Sequence, residues 1–191
     1  VGVEIDPVLV QESTEGARRA GVAERARFLW QDLFATDIAE ATVVTLYLRH
    51  DVNLRLRPKL LRELRPGTRV ISHDFAMGDW AAERVLRVRG PDREHTLYVW
   101  RIPADVGGAW RLTLHGLSGA REGALALIQQ YQQVAGTMSL DGPATTIMQG
   151  RVEGNEITFT AGGRAFTGRV EGDRMQGHAG DGAGWTATRG R

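Results

Sequence analysis

Hydrophobic and polar positions follow two different patterns along the chain. Up to about residue 103, short apolar runs are separated by amphipathic stretches; beyond it, apolar and polar residues alternate and glycine punctuates them. Residues 1–5 (VGVEI) predict a short buried strand. Asp6-Pro7 then opens a helix over 7–20, because Asp caps helix N-termini and Pro suits the first helical position. Gly21 is the expected C-cap. Residues 26–33 (ARFLWQDL) and 42–48 (TVVTLYL) predict two further strands, the second apolar enough to be covered on both faces. Residues 52–64 predict a helix with Leu54, Leu60, Leu61 and Leu64 inward, disturbed in its first half by Pro58 and ended by Pro66-Gly67. Residues 68–75 (TRVISHDF) predict the next strand. Strand alternating with helix predicts an α/β fold with a right-handed parallel sheet. Residues 84–89 and 96–102, joined by Gly90-Pro91-Asp92, predict a hairpin that closes the sheet antiparallel.

Past the linker Val106-Gly107-Gly108, strands are expected at 110–115, 124–131, 136–140, 145–152, 156–160, 164–170, 174–177 and 185–188. Asp141-Gly142, Gly154-Asn155, Gly162-Gly163 and Gly172-Asp173 are turn signals between them. The pentapeptide Gly-Arg-Val-Glu-Gly occurs at 150–154 and again at 168–172, so the unit of strand, tight turn and return strand repeats. Such a meander hides its edges by curling into a small antiparallel barrel or sandwich. The expected domains are therefore 1–104 and 109–191. Trp110, Tyr131 and Trp185 are expected in the core of the second.

Composition narrows the chemistry. The 191 residues carry a net charge of +1, which gives no reason to expect nucleic acid as the main partner. No apolar run is long enough to span a bilayer. The absence of Cys excludes disulfides, thiolate metal sites and a cysteine nucleophile. The five histidines, His50, His73, His95, His115 and His178, include no pair at the helical spacing of a zinc site, so metal is not expected. The compartment stays open, with the cytoplasm as the default. A sequence that begins inside a strand without Met is expected of a fragment.

Glu4 is the first candidate ligand. An acid at a strand end in an open α/β sheet can bind a ribose, whose two adjacent hydroxyls match two carboxylate oxygens. A solvated turn residue is the plainer reading. Tyr47, His73 and Asp74 also fall at strand ends. Tyr47 can shape an acceptor channel or pack in the core. His73 and Asp74 can bind an acceptor, take its proton, or simply cap the strand. Asn53 reads as turn or helix-start chemistry, with acceptor contact as the alternative. Arg49, Arg55, Arg57, Lys59, Arg62, Arg65 and Arg69 read as a solvated helix face, or as a docking face for an acidic partner or anionic surface.

The segments GVEIDPVLV, FLWQDLF, VVTLYL, LLRELRPGTRVISHDF and the closing W-x-I-P resemble the later part of a class I S-adenosylmethionine-dependent methyltransferase, from that family's second strand to its seventh. Within the class they are similar to bacterial small-methyltransferase domains related to the protein-lysine methyltransferases that modify part of the ATP synthase. The resemblance implies a partial Rossmann-like sheet and S-adenosylmethionine as cofactor. Glu4 would take the ribose, Ile5 would pack on adenine, Asp32 would accept from the adenine amino group and the Leu33 N–H would face a ring nitrogen. Tyr47 would lie where donor and acceptor meet. The implied acceptor is a protein side chain, lysine first, and a homo-oligomer is compatible with this reading. The family's first strand and glycine-rich loop have no counterpart, so the second and fourth strands are expected to lack the partner that lies between them. Two other readings stand beside it: a binding module in which the β half carries the interaction, and a nicotinamide-dependent oxidoreductase, which the closing hairpin and Asp32 disfavour.

Overall fold

The structure, a computed structural model, describes residues 1–116 and 119–190. Strand β1 (Gly2–Glu4) leads into helix α1 (Pro7–Arg19), whose start is capped as the sequence predicts: the Asp6 carboxylate accepts from the Val8 N–H at 2.8 Å. Strand β2 (Phe28–Trp30) pairs parallel with β1. Both are shorter than the apolar runs that carry them, because each has only one neighbour to hold it. Strand β3 (Val43–Leu46), helix α2 (His50–Glu63), strand β4 (Arg69–His73) and the hairpin β5 (Arg84–Arg89) and β6 (Glu94–Arg101) follow. These strands form a second sheet in the order β3-β4-β6-β5, parallel between β3 and β4 and antiparallel from β4 to β6 and from β6 to β5. The sheet thus breaks between β1 and β3, the place where the resemblance predicts a missing strand.

Helix α2 buries Leu56, Leu60 and Leu64 against Val70, Trp80 and Trp100, and it runs through Pro58 rather than breaking there. The basic stretch is not one solvated face. Lys59 is buried and paired with Glu63, Arg55 lies over the Phe34 ring at 4.7 Å, and Arg57 turns inward to the Met77 carbonyl and the Asp79 carboxylate.

Eight antiparallel strands, β7 (Gly108–Gly116), β8 (Gly119–Gln130), β9 (Gln133–Leu140), β10 (Thr145–Glu153), β11 (Glu156–Ala161), β12 (Arg164–Glu171), β13 (Arg174–Ala179) and β14 (Gly184–Arg189), close into an up-and-down barrel. Period-two alternation sends Trp110, Leu112, Leu125, Val152, Ile157, Phe166, Val170, Met175 and Trp185 inside, where they fill the barrel. Polar side chains such as Arg111, Glu122, Thr137 and Arg169 lie on the outer face, the reverse of a lipid-facing barrel. The buried indoles are satisfied: Trp110 donates to the Val106 carbonyl at 2.8 Å and Trp185 to the Thr167 carbonyl at 3.1 Å. The repeated pentapeptide ends β10 and β12 in the same way. Gly154 and Gly172 take φ of 60° and 59° at the first position of two-residue turns, as a type II′ hairpin turn requires. A bulge near Gln149, at φ 53°, bends β10 where the barrel closes.

Tyr131 is not a barrel-core aromatic. It sits at the β8–β9 turn at φ 54°, and its ring stacks on Trp80 with centroids 5.9 Å apart. Its hydroxyl donates to Asp79 at 3.1 Å, while the Arg57 guanidinium lies 5.3 Å from its ring centre. Gln132 donates to the Ala81 carbonyl and Ala104 to the Gly154 carbonyl, so the turn and the barrel are tied to the α/β part by hydrogen bonds as well as by this aromatic contact. No helix among the described residues is long and apolar enough to cross a membrane.

Two consequences are measurable. Ile157 is fully buried in the barrel, and Ile157→Ala should lower the unfolding free energy by about 2–5 kcal/mol in urea titration; a loss under about 1 kcal/mol would contradict a filled interior. Hydrogen bonds from Arg57 first and Tyr131 second hold the Asp79 carboxyl below the usual carboxylate range. A depressed folded pKa contributes stability above the unfolded value, about 3.9, and that contribution is lost as pH falls through the lower folded value. The native protein should therefore melt above Asp79→Asn near neutral pH, with the gap closing in acid. Equal melting at neutral pH would count against the clamp.

Candidate functional site

The candidate residues collect into two groups, one at the carboxyl end of each parallel pair. In the first, the register of β1 on β2 sets Glu4 opposite Trp30, and Gln31 N–H donates to the Glu4 carbonyl at 3.0 Å, so the chain carries Asp32 just beyond Glu4. The Glu4 side chain turns back on its own strand end. Its Oε1 accepts from the N–H groups of Ile5 and Asp6 at 2.7 and 3.0 Å, leaving Oε2 without a partner among the described residues. A diol would therefore meet one uncommitted oxygen and one already held in place, rather than two free ones. Asp32 behaves likewise: Oδ1 accepts from Phe34 N–H at 2.8 Å and Oδ2 has no partner among the described residues. Leu33 N–H also meets no acceptor there. Ile5 and Trp30 are two-thirds exposed, although both are large and apolar, and the Trp30 indole is tethered to the Ile5 carbonyl at 3.0 Å. This edge offers two aimed carboxylate oxygens, a free N–H and an uncovered apolar surface, which is the chemistry of a purine nucleoside.

The second group lies beyond β3 and β4. Tyr47 follows β3 directly, 83% exposed, and stacks on the His73 ring at 4.8 Å, so it is not a core aromatic. His73 ends β4. Asp74 follows it at φ 58°, an uncommon conformation for a non-glycine residue, held by the Thr96 N–H on its Oδ1 and by Arg93 on its Oδ2. These contacts, Arg93 first, keep the Asp74 carboxyl below the usual range. The antiparallel pairing of β6 on β4 adds a residue that spacing did not reveal: His95 Nδ1 lies 2.8 Å from His73 Nε2. The two histidines are distant in sequence, and only the hairpin register joins them. Asn53 does not reach this space. It is buried in α2 and donates to Ser72 Oγ at 2.8 Å and to the Phe75 carbonyl at 3.2 Å, fixing the turn that carries His73 and Asp74.

Comparison with known proteins falls in line with this geometry. Residues 1–84 match the family model of the ANTKMT methyltransferase domain. The chain is 42% identical over 102 residues to a protein-lysine N-methyltransferase of Saccharolobus islandicus (strain REY15A), a match covering 53% of this chain and 63% of that protein. It is 34% identical over 85 residues to an ATP synthase lysine N-methyltransferase of Homo sapiens, covering 44% of this chain and 36% of that one. A crystal structure of an RNA methyltransferase from Salinibacter ruber in complex with S-adenosyl-L-homocysteine is similar at 50% identity and a TM-score of 0.51, over 55% of this chain and 66% of that one. The chain thus spans less than two thirds of the length of the curated relatives it matches.

Asn53 tests the second group's support. Asn53→Ala should cost about 1–3 kcal/mol of stability, because it strands the Phe75 carbonyl and the Ser72 hydroxyl in a buried place. A change below about 0.5 kcal/mol in denaturant titration would mean the turn is held by other contacts.

Proposed function

We propose, from the premise that residues 1–84 are methyltransferase-domain sequence, that the chain supplies the nucleoside and acceptor faces of an S-adenosylmethionine-dependent methyltransferase acting on a protein lysine. The observation that carries this reading is the edge of β1 and β2. Glu4 Oε2, Asp32 Oδ2 and the Leu33 N–H are uncommitted beside an exposed Ile5. Glu4 would take the ribose. Asp32 and Leu33 N–H would read the adenine edge as acceptor and donor, with Ile5 against the ring face. The cofactor, when bound, supplies an activated methyl group on a sulfonium whose departure leaves a neutral thioether.

What remains for the protein is alignment of the acceptor nitrogen and exclusion of water. Tyr47 and His73, stacked at the end of β3 and β4, would line the acceptor position, and Asp74 would hold the turn that presents them. Lysine as acceptor is supported by the names of two curated relatives, while the solved neighbour is an RNA methyltransferase. The net charge of +1 favours the protein acceptor. We place the two units at 1–104 and 109–191. The gap between β1 and β3 would receive one further parallel strand, completing the sheet. The filled barrel would act through its outer surface and its contact with the α/β part, since side chains occupy its interior.

The test is titration of S-adenosylhomocysteine into the complete gene product, with NADH as control. Glu4→Ala should weaken binding by roughly 10- to 150-fold, the worth of a charge-assisted hydrogen bond of about 1.5–3 kcal/mol. Methyl transfer to a lysine-containing peptide and to RNA oligonucleotides would then decide the acceptor. Undiminished affinity in folded Glu4→Ala, or preference for NADH, would refute the assignment.

A further inference from the structure

Of the five histidines, two meet. His73 Nε2 and His95 Nδ1 face each other at 2.8 Å, so at most one proton lies between them and the other nitrogen presents a lone pair. An Asp74 oxygen lies 3.5 Å from the same His73 nitrogen. One ligand atom from each of these three residues falls within 4.8 Å of the others. From this geometry we propose that His73, His95 and Asp74 form a binding site for a borderline divalent transition-metal ion, of which Zn2+ is the probe.

The donor set is two imidazoles and one carboxylate, a combination suited to zinc with a position left open to water. Zinc-to-nitrogen bonds of about 2.0–2.1 Å at a tetrahedral angle put the two nitrogens roughly 3.3 Å apart, so the imidazole pair need open by only about half an ångström. The surroundings fit. His95 Nε2, its other ring nitrogen, faces the Asp92 carboxylate at 3.6 Å, the outer-sphere carboxylate that orients a ligating imidazole and fixes its tautomer. Asp74 already holds a cation: its partner Arg93 is half exposed and also reaches the Glu94 carbonyl, so a metal ion replaces one positive charge by another at the same carboxylate. Asp74 is held at φ 58° by the Thr96 N–H on its other oxygen, which aims the carboxylate before any ion arrives. His73 and His95 are both partly buried, with Tyr47 over the His73 ring. No thiolate competes for the ion, because the chain has no Cys. A bound ion would draw the His73 ring nitrogen away from an acceptor, making the metal an antagonist of the second group rather than a participant in methyl transfer.

This proposal stands apart from the methyltransferase reading, since it concerns the folded chain itself. The experiment is calorimetric titration of Zn2+ into the chain at neutral pH, with Mg2+ as control and circular dichroism to verify folding. One saturable Zn2+ site is expected and no Mg2+ site. His95→Ala should weaken it by more than about tenfold, and Asp92→Asn by about tenfold through the orienting carboxylate. His115→Ala should leave it unchanged. Absence of a saturable site, equal affinity for Mg2+, or loss in His115→Ala would overturn the proposal. If His95→Ala does not fold, the exposed Asp92→Asn decides: full retention of Zn2+ affinity there would count against the site.

Discussion

Strand edges must be paired, and that constraint divides the molecule. A buried backbone N–H or C=O without a partner costs about as much as a lost hydrogen bond, so a sheet is stable only where its edges are matched or wetted. The barrel solves this by closure: β14 returns to β7, and no strand is left with a single neighbour. The α/β part leaves it open, with β1-β2 on one side of a break and β3-β4-β6-β5 on the other. The difference shows in burial. The barrel and the four-stranded sheet each have a filled apolar core, whereas in the β1-α1-β2 segment Ala17 is the buried apolar residue.

The same pairing geometry makes both candidate groups. Parallel strands in register bring their carboxyl ends level, which is why Glu4 and Asp32 become neighbours although α1 separates them in sequence. At the other sheet, β3 and β4 set Tyr47 beside His73, and the antiparallel return of β6 swings His95 onto the same ring. Backbone N–H groups then aim the acids: Ile5 and Asp6 for Glu4, Phe34 for Asp32, Thr96 for Asp74. Each carboxylate is held by one oxygen, which lowers the entropy lost when a ligand engages the other.

Much of this is legible in the sequence because the relevant signals are local. The helix cap at Asp6-Pro7, the glycine turns at 154 and 172 and the alternation of eight strands each follow from a few adjacent residues. A barrel rather than a sandwich follows only from closure between β14 and β7, which no local signal states. The meeting of His73 with His95 depends on hairpin register across Gly90-Pro91-Asp92, and the inward turn of Arg57 depends on an Asp79 that lies beyond the next strand. Tyr131 departs from its expected place for the same reason: alternation assigns it to a strand, but its positive φ and the Trp80 ring place it outside the barrel. Asn53 reads as surface turn chemistry because its two partners, Ser72 and Phe75, come from β4 and the turn after it.

Binding of a nucleoside at the carboxyl edge of β1 and β2 is what joins these observations to a function. Amide hydrogen exchange on the complete gene product, with and without S-adenosylhomocysteine, tests it at single sites. Exchange should slow at the Leu33 amide and around residues 4–6, with the barrel amides from β7 to β14 unchanged. Protection confined to the barrel, or none at Leu33 when the ligand saturates, would contradict it.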